Sequence, residues 1–320
     1  MPWPGASLTA MMALAETEDD GFIYFPDGNA SVARLLLARL VPEAFPGDPD
    51  VSGIVTARAR YDLLDRPGAP VAVRLGATVF DVRHAGPAGR SREVEVRYRR
   101  DGADHRVRAG HVIMACWTSV TSYVLRDLPP EQAAAMRYGV KVPLVYARAA
   151  VRDWTAFAAA RVSRVDTPTL YWNGFHLPPA TRLGDYTSPR DPELPGVVQL
   201  MKTPNHPGLP MKEQYQAGRE HLSAVSFATL ERELRTAMVR ALGPYGFDPG
   251  RDIAAITVNR WAHGYTYEYT SLDDAEVLGR PEAERPAALA RRPLGRVTIA
   301  GSDAAPSPTP TPPSTRPTAP

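Results

Sequence analysis

Between Ile253 and Tyr269 the chain concentrates Arg260, Trp261, His263, Tyr265, Tyr267 and Tyr269. Ring faces gathered this way attract an alkylammonium through the negative face of each π-system. The same run also reads as a strand with aromatic cross-strand pairs. His263, standing alone among them, suits a hydrogen-bonded structural histidine better than a general base. Two further stretches, Gly110–Cys116 and Gly295–Asp303, are short apolar runs that stop at small residues. Val112 to Ala115 has no period-2 alternation and reads as a strand buried on both faces. Val297 to Ala300 is similar, interrupted by Thr298. In open α/β sheets ligands sit where such strands end, although both runs also read as plain core strands.

The rest of the chain must position these groups. Phe22 to Phe25 is strand-like and enters a Pro26-Asp-Gly28-Asn29 turn. Ser31 is placed to cap a helix over Val32–Leu40, which Pro42, Pro46 and Gly47 stop. Such a corner brings backbone N–H groups close to an anion, or is an ordinary β-turn-α connection. From 70 to 116 the pattern turns to period 2, through Val71, Val73 and Leu75, then Val79 and Val82, then Val94, Val96 and Tyr98, then Val107. It predicts an antiparallel meander that delivers the chain into the strand at Val112.

Leu128-Pro-Pro opens a helix, Lys141–Ala150 is a strand, and Asp153–Phe157 is a short connector. Residues 160–212 are the least regular, with strand-like pieces such as Thr169–Trp172. Phe227–Leu242 is the clearest amphipathic helix. Its Leu230, Leu234, Met238 and Leu242 recur every four residues, and Gly243-Pro244 ends it. Those apolar residues are packing.

The totals exclude several classes. With 37 basic and 35 acidic residues among 320, the net charge of +2 leaves no nucleic-acid footprint. Arg dominates Lys. The single cysteine, Cys116, excludes an internal disulfide and a multi-Cys metal site. The seven histidines show no i,i+4 pair, against a metalloenzyme of the zincin type. Gly-x-Ser-x-Gly does not occur, against a hydrolase built on a nucleophile elbow. No apolar run approaches the length of a membrane span. Met1–Glu18 lacks the basic start of a signal peptide; the compartment is left open, with cytoplasmic the expectation for the chain as written.

Five segments in register resemble the C-terminal part of the flavin-containing amine oxidoreductases, closest to the spermidine dehydrogenase-like branch. They are Phe25–Leu37, Val112–Cys116, Lys141–Tyr146, Val258–Tyr265 and Gly295–Asp303. The resemblance covers about residues 20–305. It implies an α/β (or α+β) fold: an incomplete FAD-binding domain with an antiparallel meander over 21–127, interrupted by a mixed-sheet substrate domain over 128–290, with a returning FAD-domain strand at 291–305. It also implies hydride transfer from a small-molecule amine to FAD, with no obligatory protein base. Gly28, Asn29, Ala30 and Ser31, Val79, Ala115 and Cys116, and Gly301, Ser302 and Asp303 are carried over as cofactor-proximal. Trp261, His263, Tyr265 and Tyr267 are carried over as walls of the amine site. Members of the branch are often exported, so an intact relative would be periplasmic. Asp185, Glu213 and Glu268 are expected to be surface charges.

The chain departs from that pattern at both ends. No two of its 24 glycines are separated by a single residue, so Gly-x-Gly-x-x-Gly, which would hold the FAD pyrophosphate, does not occur. The expectation is a fragment with impaired FAD binding and weak or no activity; the rival expectation is a non-catalytic binding domain derived from the same fold. Residues 306–320 carry seven prolines and predict a disordered Pro/Thr tail. Codons compatible with Pro308–Pro320, read two bases on, give Tyr-Thr-His-Ala-Ala-Ile-Asp-Gln-Ala-His-Arg-Ala, so a frameshift is expected there. Substrate identity, electron acceptor and oligomeric state are not legible.

Overall fold

The computed structural model describes residues 25, 26 and 28–304. The expected strand over 22–25, apart from Phe25, and the tail over 306–320 lie outside them. Helices and several sheets share the chain, the mixed α/β organisation the sequence predicts. The chain divides into two compact units. The first takes residues 1–75, 145–202 and 225–259, and the second 76–144, 203–224 and 260–320.

Strands are numbered in chain order. The meander is β1 (Thr78–His84), β2 (Val94–Arg100) and β3 (Ala103–Ala109), paired antiparallel in that order. A bulge lies between Val79 and Asp81. Next comes β4 (Val112–Met114), which pairs parallel with the last strand, β12 (Val297–Ile299). Between them run β5 (Val142–Val151), β6 (Arg164–Asp166), β7 (Gly174–His176), the short β8 (Arg182–Leu183) and β9 (Tyr186–Thr187), β10 (Gly196–Lys202) and β11 (Ile253–Tyr265). A five-stranded sheet has the order β11-β5-β10-β7-β6. Its β5–β10, β10–β7 and β7–β6 pairings are antiparallel.

In the first unit the helix Phe227–Leu242 forms as its four-residue apolar repeat predicts, with Leu230, Leu234, Met238 and Leu242 buried. Ser226 caps it by accepting the Thr229 N–H at 3.1 Å. Trp172 is fully buried and donates its indole N–H to the Leu230 carbonyl. Phe157 and Phe175 meet edge to face. A separate cluster gathers Ala38, Val41, Phe45, Ile54 and Leu64 under the helix Ala30–Leu40.

The core of the second unit is built from Val82, Val94, Met114, Leu125, Met136, Val297 and Ile299. It draws apolar residues from β1, β2, β4 and β12. His84 ties these elements together. Its buried ring pairs through Nδ1 with Asp127 at 2.9 Å, and Nε2 accepts the Arg296 N–H at 3.2 Å. This arrangement fixes Nδ1 as the protonated nitrogen.

Several local expectations are corrected. The helix begins at Ala30, with Asn29 at the N-cap and no side-chain cap; Ser31 is buried inside the first turn, where it cannot cap. Residues 71–75 form no strand, because Gly68, Pro70 and Gly76 punctuate them; the Val73 N–H instead bonds the Leu64 carbonyl. β4 is not buried on both faces: Ile113 is 68% exposed, since only one face of the β4–β12 pair packs on the core. The connector after Asp153 is a helix, Thr155–Ala160, whose first N–H bonds the Asp153 carboxylate. Thr169–Trp172 is turn and bend; there the burial of Trp172 outweighs the β propensity of the run. The helix Met211–Ala224 carried no strong apolar repeat and emerges only in the structure.

Candidate functional site

β4 and β12 run the same way, so their C-terminal ends coincide. Val112 pairs with Val297, Ile113 with Thr298 and Met114 with Ile299. The Ala300 N–H then bonds the Met114 carbonyl at 2.9 Å. From that shared end the chain leaves through Ala115 and Cys116 on one side and Gly301, Ser302 and Asp303 on the other. All but Asp303 are exposed. Gly301 has φ +118°, a region closed to L side chains, and a Cβ there would stand 3.7 Å from the Ala115 carbonyl oxygen. The Cys116 thiol lies 3.2 Å from the Thr121 hydroxyl, inside the following helix Thr118–Val124.

Charge is concentrated beside these ends. Asp303 turns inward and pairs with Lys141 Nζ at 2.9 Å, the two side chains being only 14% and 11% exposed. Lys141 is the residue just before β5. Trp117, which follows Cys116, stacks at a tilt on His263, with ring centroids 4.2 Å apart. Arg219 donates to the Ala262 and Lys141 carbonyls at 3.2 and 3.4 Å. The His263 ring is held below its ordinary pKa, first by burial and then by the positive charges of Arg219 and Lys141.

A second cluster surrounds Asp274, whose side chain is fully buried. It accepts from the Tyr138 hydroxyl at 2.5 Å, the Tyr267 hydroxyl at 2.8 Å and the Thr270 N–H at 3.0 Å. Tyr138, Tyr215, Tyr267 and Tyr269 meet edge to face around it. Burial, then the hydrogen bond and charge of Asp274, push the Tyr138 and Tyr267 phenols upward. Burial, reinforced by Glu268, Asp273 and Asp274, pushes Tyr215 to about 12. Lys212 Nζ stands 3.2 Å from the centroid of the Tyr138 ring, 5.1 Å from that of Tyr267 and 3.9 Å from Asp274 Oδ1. A cavity of about 30 Å³, lined by Trp117, Met136, Tyr138, Tyr267, Tyr269 and Asp303 among others, borders both clusters. It has room for one or two waters.

The residues singled out in the sequence are thus distributed unevenly. Ala115, Cys116, Gly301, Ser302 and Asp303 meet at one strand end. His263 joins them through Trp117 and Lys141. Tyr267 instead faces Asp274, buried with its hydroxyl bonded, while Tyr265 is half-buried and Trp261 is 56% exposed. Val79 is 40% exposed on β1, opposite Tyr98. In the first unit Gly28 takes φ +77° and accepts the Ser31 N–H at its carbonyl, and Asn29 and Ala30 are exposed. Asp185 and Glu213 are surface charges as expected. Glu268 is not: it is half-buried, and burial raises its carboxyl pKa. Trp117, Tyr138, Lys212 and Asp274 went unnoticed in the sequence, and Lys141 was read only as the start of a strand and of a matched segment, not as a site residue. One signal was available: only three of the 37 basic residues are lysines, and two of them stand here.

Among the described residues no group of His, Cys, Asp and Glu is placed to hold a metal ion, and no helix is long and apolar enough to cross a membrane. No protein-family model and no curated protein matches the chain. Among solved structures it is similar to putrescine oxidase bound to putrescine, at 16% identity and a TM-score of 0.47, over 72% of this chain and 44% of that one. Cyclohexylamine oxidase from Brevibacterium oxydans gives 15% identity and a TM-score of 0.46, over 71% of this chain and 42% of that one. The chain spans less than half the length of either. Likeness this loose assigns no chemistry.

Proposed function

We propose that the chain carries part of the active site of a flavin-dependent amine oxidoreductase. The supporting observation is the shared end of β4 and β12, where small exposed residues stand beside a nearly buried ion pair and the Trp117–His263 ring contact. FAD fits this end in one respect: Ala115, Cys116, Gly301 and Ser302 offer a surface with no bulky side chain, and Gly301 takes a φ of +118° that glycine adopts without strain. Those residues would hold an edge of the flavin, with Asp303 behind them. When bound, the flavin supplies a two-electron acceptor for the hydride equivalent leaving the carbon beside an amine.

The chain's own residues would prepare the amine. Lys141 and Arg219 make the surroundings of His263 positive, which disfavours a bound ammonium and favours the neutral amine whose lone pair the oxidation needs. His263, whose pKa burial and those cations lower, would take the proton that such an amine gives up. Trp117 packs against one face of the imidazole, and His263 is otherwise exposed. Trp261 and Tyr265 would supply ring faces toward the alkyl part of the substrate.

A second reading, a binding module that takes no flavin, is favoured by the cavity of about 30 Å³, far below the 300 Å³ or more of ordinary cofactor sites. Titrating FAD into the purified full chain separates the two. Saturable quenching of flavin fluorescence, abolished by Gly301→Val, is the expected result. Unchanged fluorescence up to millimolar protein would leave the flavin-free module.

A further inference from the structure

The chain holds 37 basic residues but only three lysines, Lys141, Lys202 and Lys212; every other basic position is arginine. Arg and Lys differ chemically in one decisive respect. A guanidinium stays charged at any physiological pH, whereas a lysine amine can lose its proton and become a nucleophile. Each of the three lysines sits in a specific enclosure. Lys141 is committed to Asp303. Lys202 lies 5.4 Å from the centroid of the Tyr171 ring. Lys212 lies on the Tyr138 ring, 3.9 Å from the buried Asp274, with its side chain 30% exposed.

We infer that Lys212 is a carbonyl-capturing amine, which forms a Schiff base with small aliphatic aldehydes. Three features carry this. Its side chain is 30% exposed while its nitrogen lies against the Tyr138 and Tyr267 rings. The nearest carboxylate, Asp274, is occupied by two phenols and a backbone N–H and stands beyond hydrogen-bond reach, so it does not lock the ammonium as Asp303 locks Lys141. The rings offer apolar faces to an alkyl stem, and the neighbouring cavity, about 30 Å³ and sharing Tyr138 and Tyr267, limits that stem to a short one. Burial also lowers the lysine pKa, with Asp274 and Asp273 opposing it, as in other lysines that attack carbonyls.

The reaction needs no oxidant. The unprotonated Nζ attacks the carbonyl carbon, and the carbonyl oxygen takes a proton from solvent. That oxygen then leaves as water with a second proton, while the nitrogen releases both of its hydrogens to solvent as protons to form C=N, so two protons are taken up and two are returned. The adduct is reversible. It requires no flavin and stands apart from the function proposed above.

The test is reductive trapping. The full chain is incubated with propanal and cyanoborohydride at neutral pH, and peptides carrying the three lysines are followed by mass spectrometry. Lys212 should acquire a propyl group several-fold faster in the folded chain than in guanidinium chloride, where all three lysines should react alike. Lys212→Arg should keep the melting temperature, because the cation remains on the ring, and lose the fast adduct. Labelling of Lys212 no faster folded than unfolded would overturn the inference. So would fast labelling at Lys202 or Lys141 with Lys212 untouched.

Discussion

Lys141 Nζ stands 2.9 Å from Asp303 Oδ1, so a residue entering β5 is joined to the residue that ends the β12 turn, 162 positions away in sequence. Both side chains are nearly buried. Removing one partner from such a pair strands the other charge in a poorly solvated place. Lys141→Met should therefore lower stability by about 3 kcal/mol, seen as a lower denaturation midpoint by calorimetry. Lys141→Met combined with Asp303→Leu should recover most of the loss. A double variant as unstable as the sum of the single ones would contradict this account.

Gly218 packs where a side chain has no room. It lies in the helix Met211–Ala224, and a Cβ would run into the Pro204 backbone carbonyl oxygen and approach the Pro143 ring. Backbone cannot yield as a flexible side chain can. Gly218→Ala, which ordinarily favours a helix, should instead cost about 2 kcal/mol. Urea unfolding of the two chains measures the difference, and a stabilised variant would show that the helix can shift.

His263 carries a definite pH signature. Its pKa in the folded chain lies below that of an ordinary imidazole. Its contribution to stability is therefore fully present above about pH 6.5, and is lost as pH falls from there toward the folded pKa, because the unfolded chain binds the proton first. Replacing His263 by Gln should flatten the slope of melting temperature against pH in that window. An unchanged slope would mean that the ring titrates freely.

The tyrosines around Asp274 should ionise late. Tyr138 and Tyr267 are pushed upward, and Tyr215 to about 12. Absorbance at the tyrosinate band during alkaline titration should show at least these three lagging behind exposed tyrosines, and then appearing together as the fold gives way. Tyr267→Phe leaves Asp274 one donor short and should cost about 2 kcal/mol, the range for a hydrogen bond to a buried charge. Tyr138→Phe should do the same. The double variant should fall short of the sum, since both phenols serve one carboxylate.

Elements whose pattern is local were legible. The four-residue repeat of Leu230, Leu234, Met238 and Leu242 marked its helix to the residue, and the alternation through Val82, Val94, Val96 and Tyr98 marked the meander. Where the signal came from a run of only three or four residues it failed. Val71, Val73 and Leu75 alternate, yet glycine and proline around them prevent a strand. Thr169–Trp172 has β propensity, yet the burial of Trp172 dictates a turn. The helix Met211–Ala224 is polar on average and its buried residues, Met211, Gln214, Tyr215, Gly218 and Leu222, include few strongly apolar ones, so nothing local announced it.

The sequence by itself determined which chemical groups exist: small residues ending two apolar runs, a cluster of aromatics near 265, three lysines among 37 basic residues, and mixed helix and strand. Those follow from side-chain periodicity and composition, which act over a few residues. Only the tertiary structure decided which of them meet. The parallel pairing of β4 with β12 brings Cys116 beside Gly301, and burial joins Asp303 to Lys141 and Tyr267 to Asp274. Those contacts form because a charge or hydroxyl taken out of water must find a partner wherever the packed core leaves one, and sequence distance has no bearing on that.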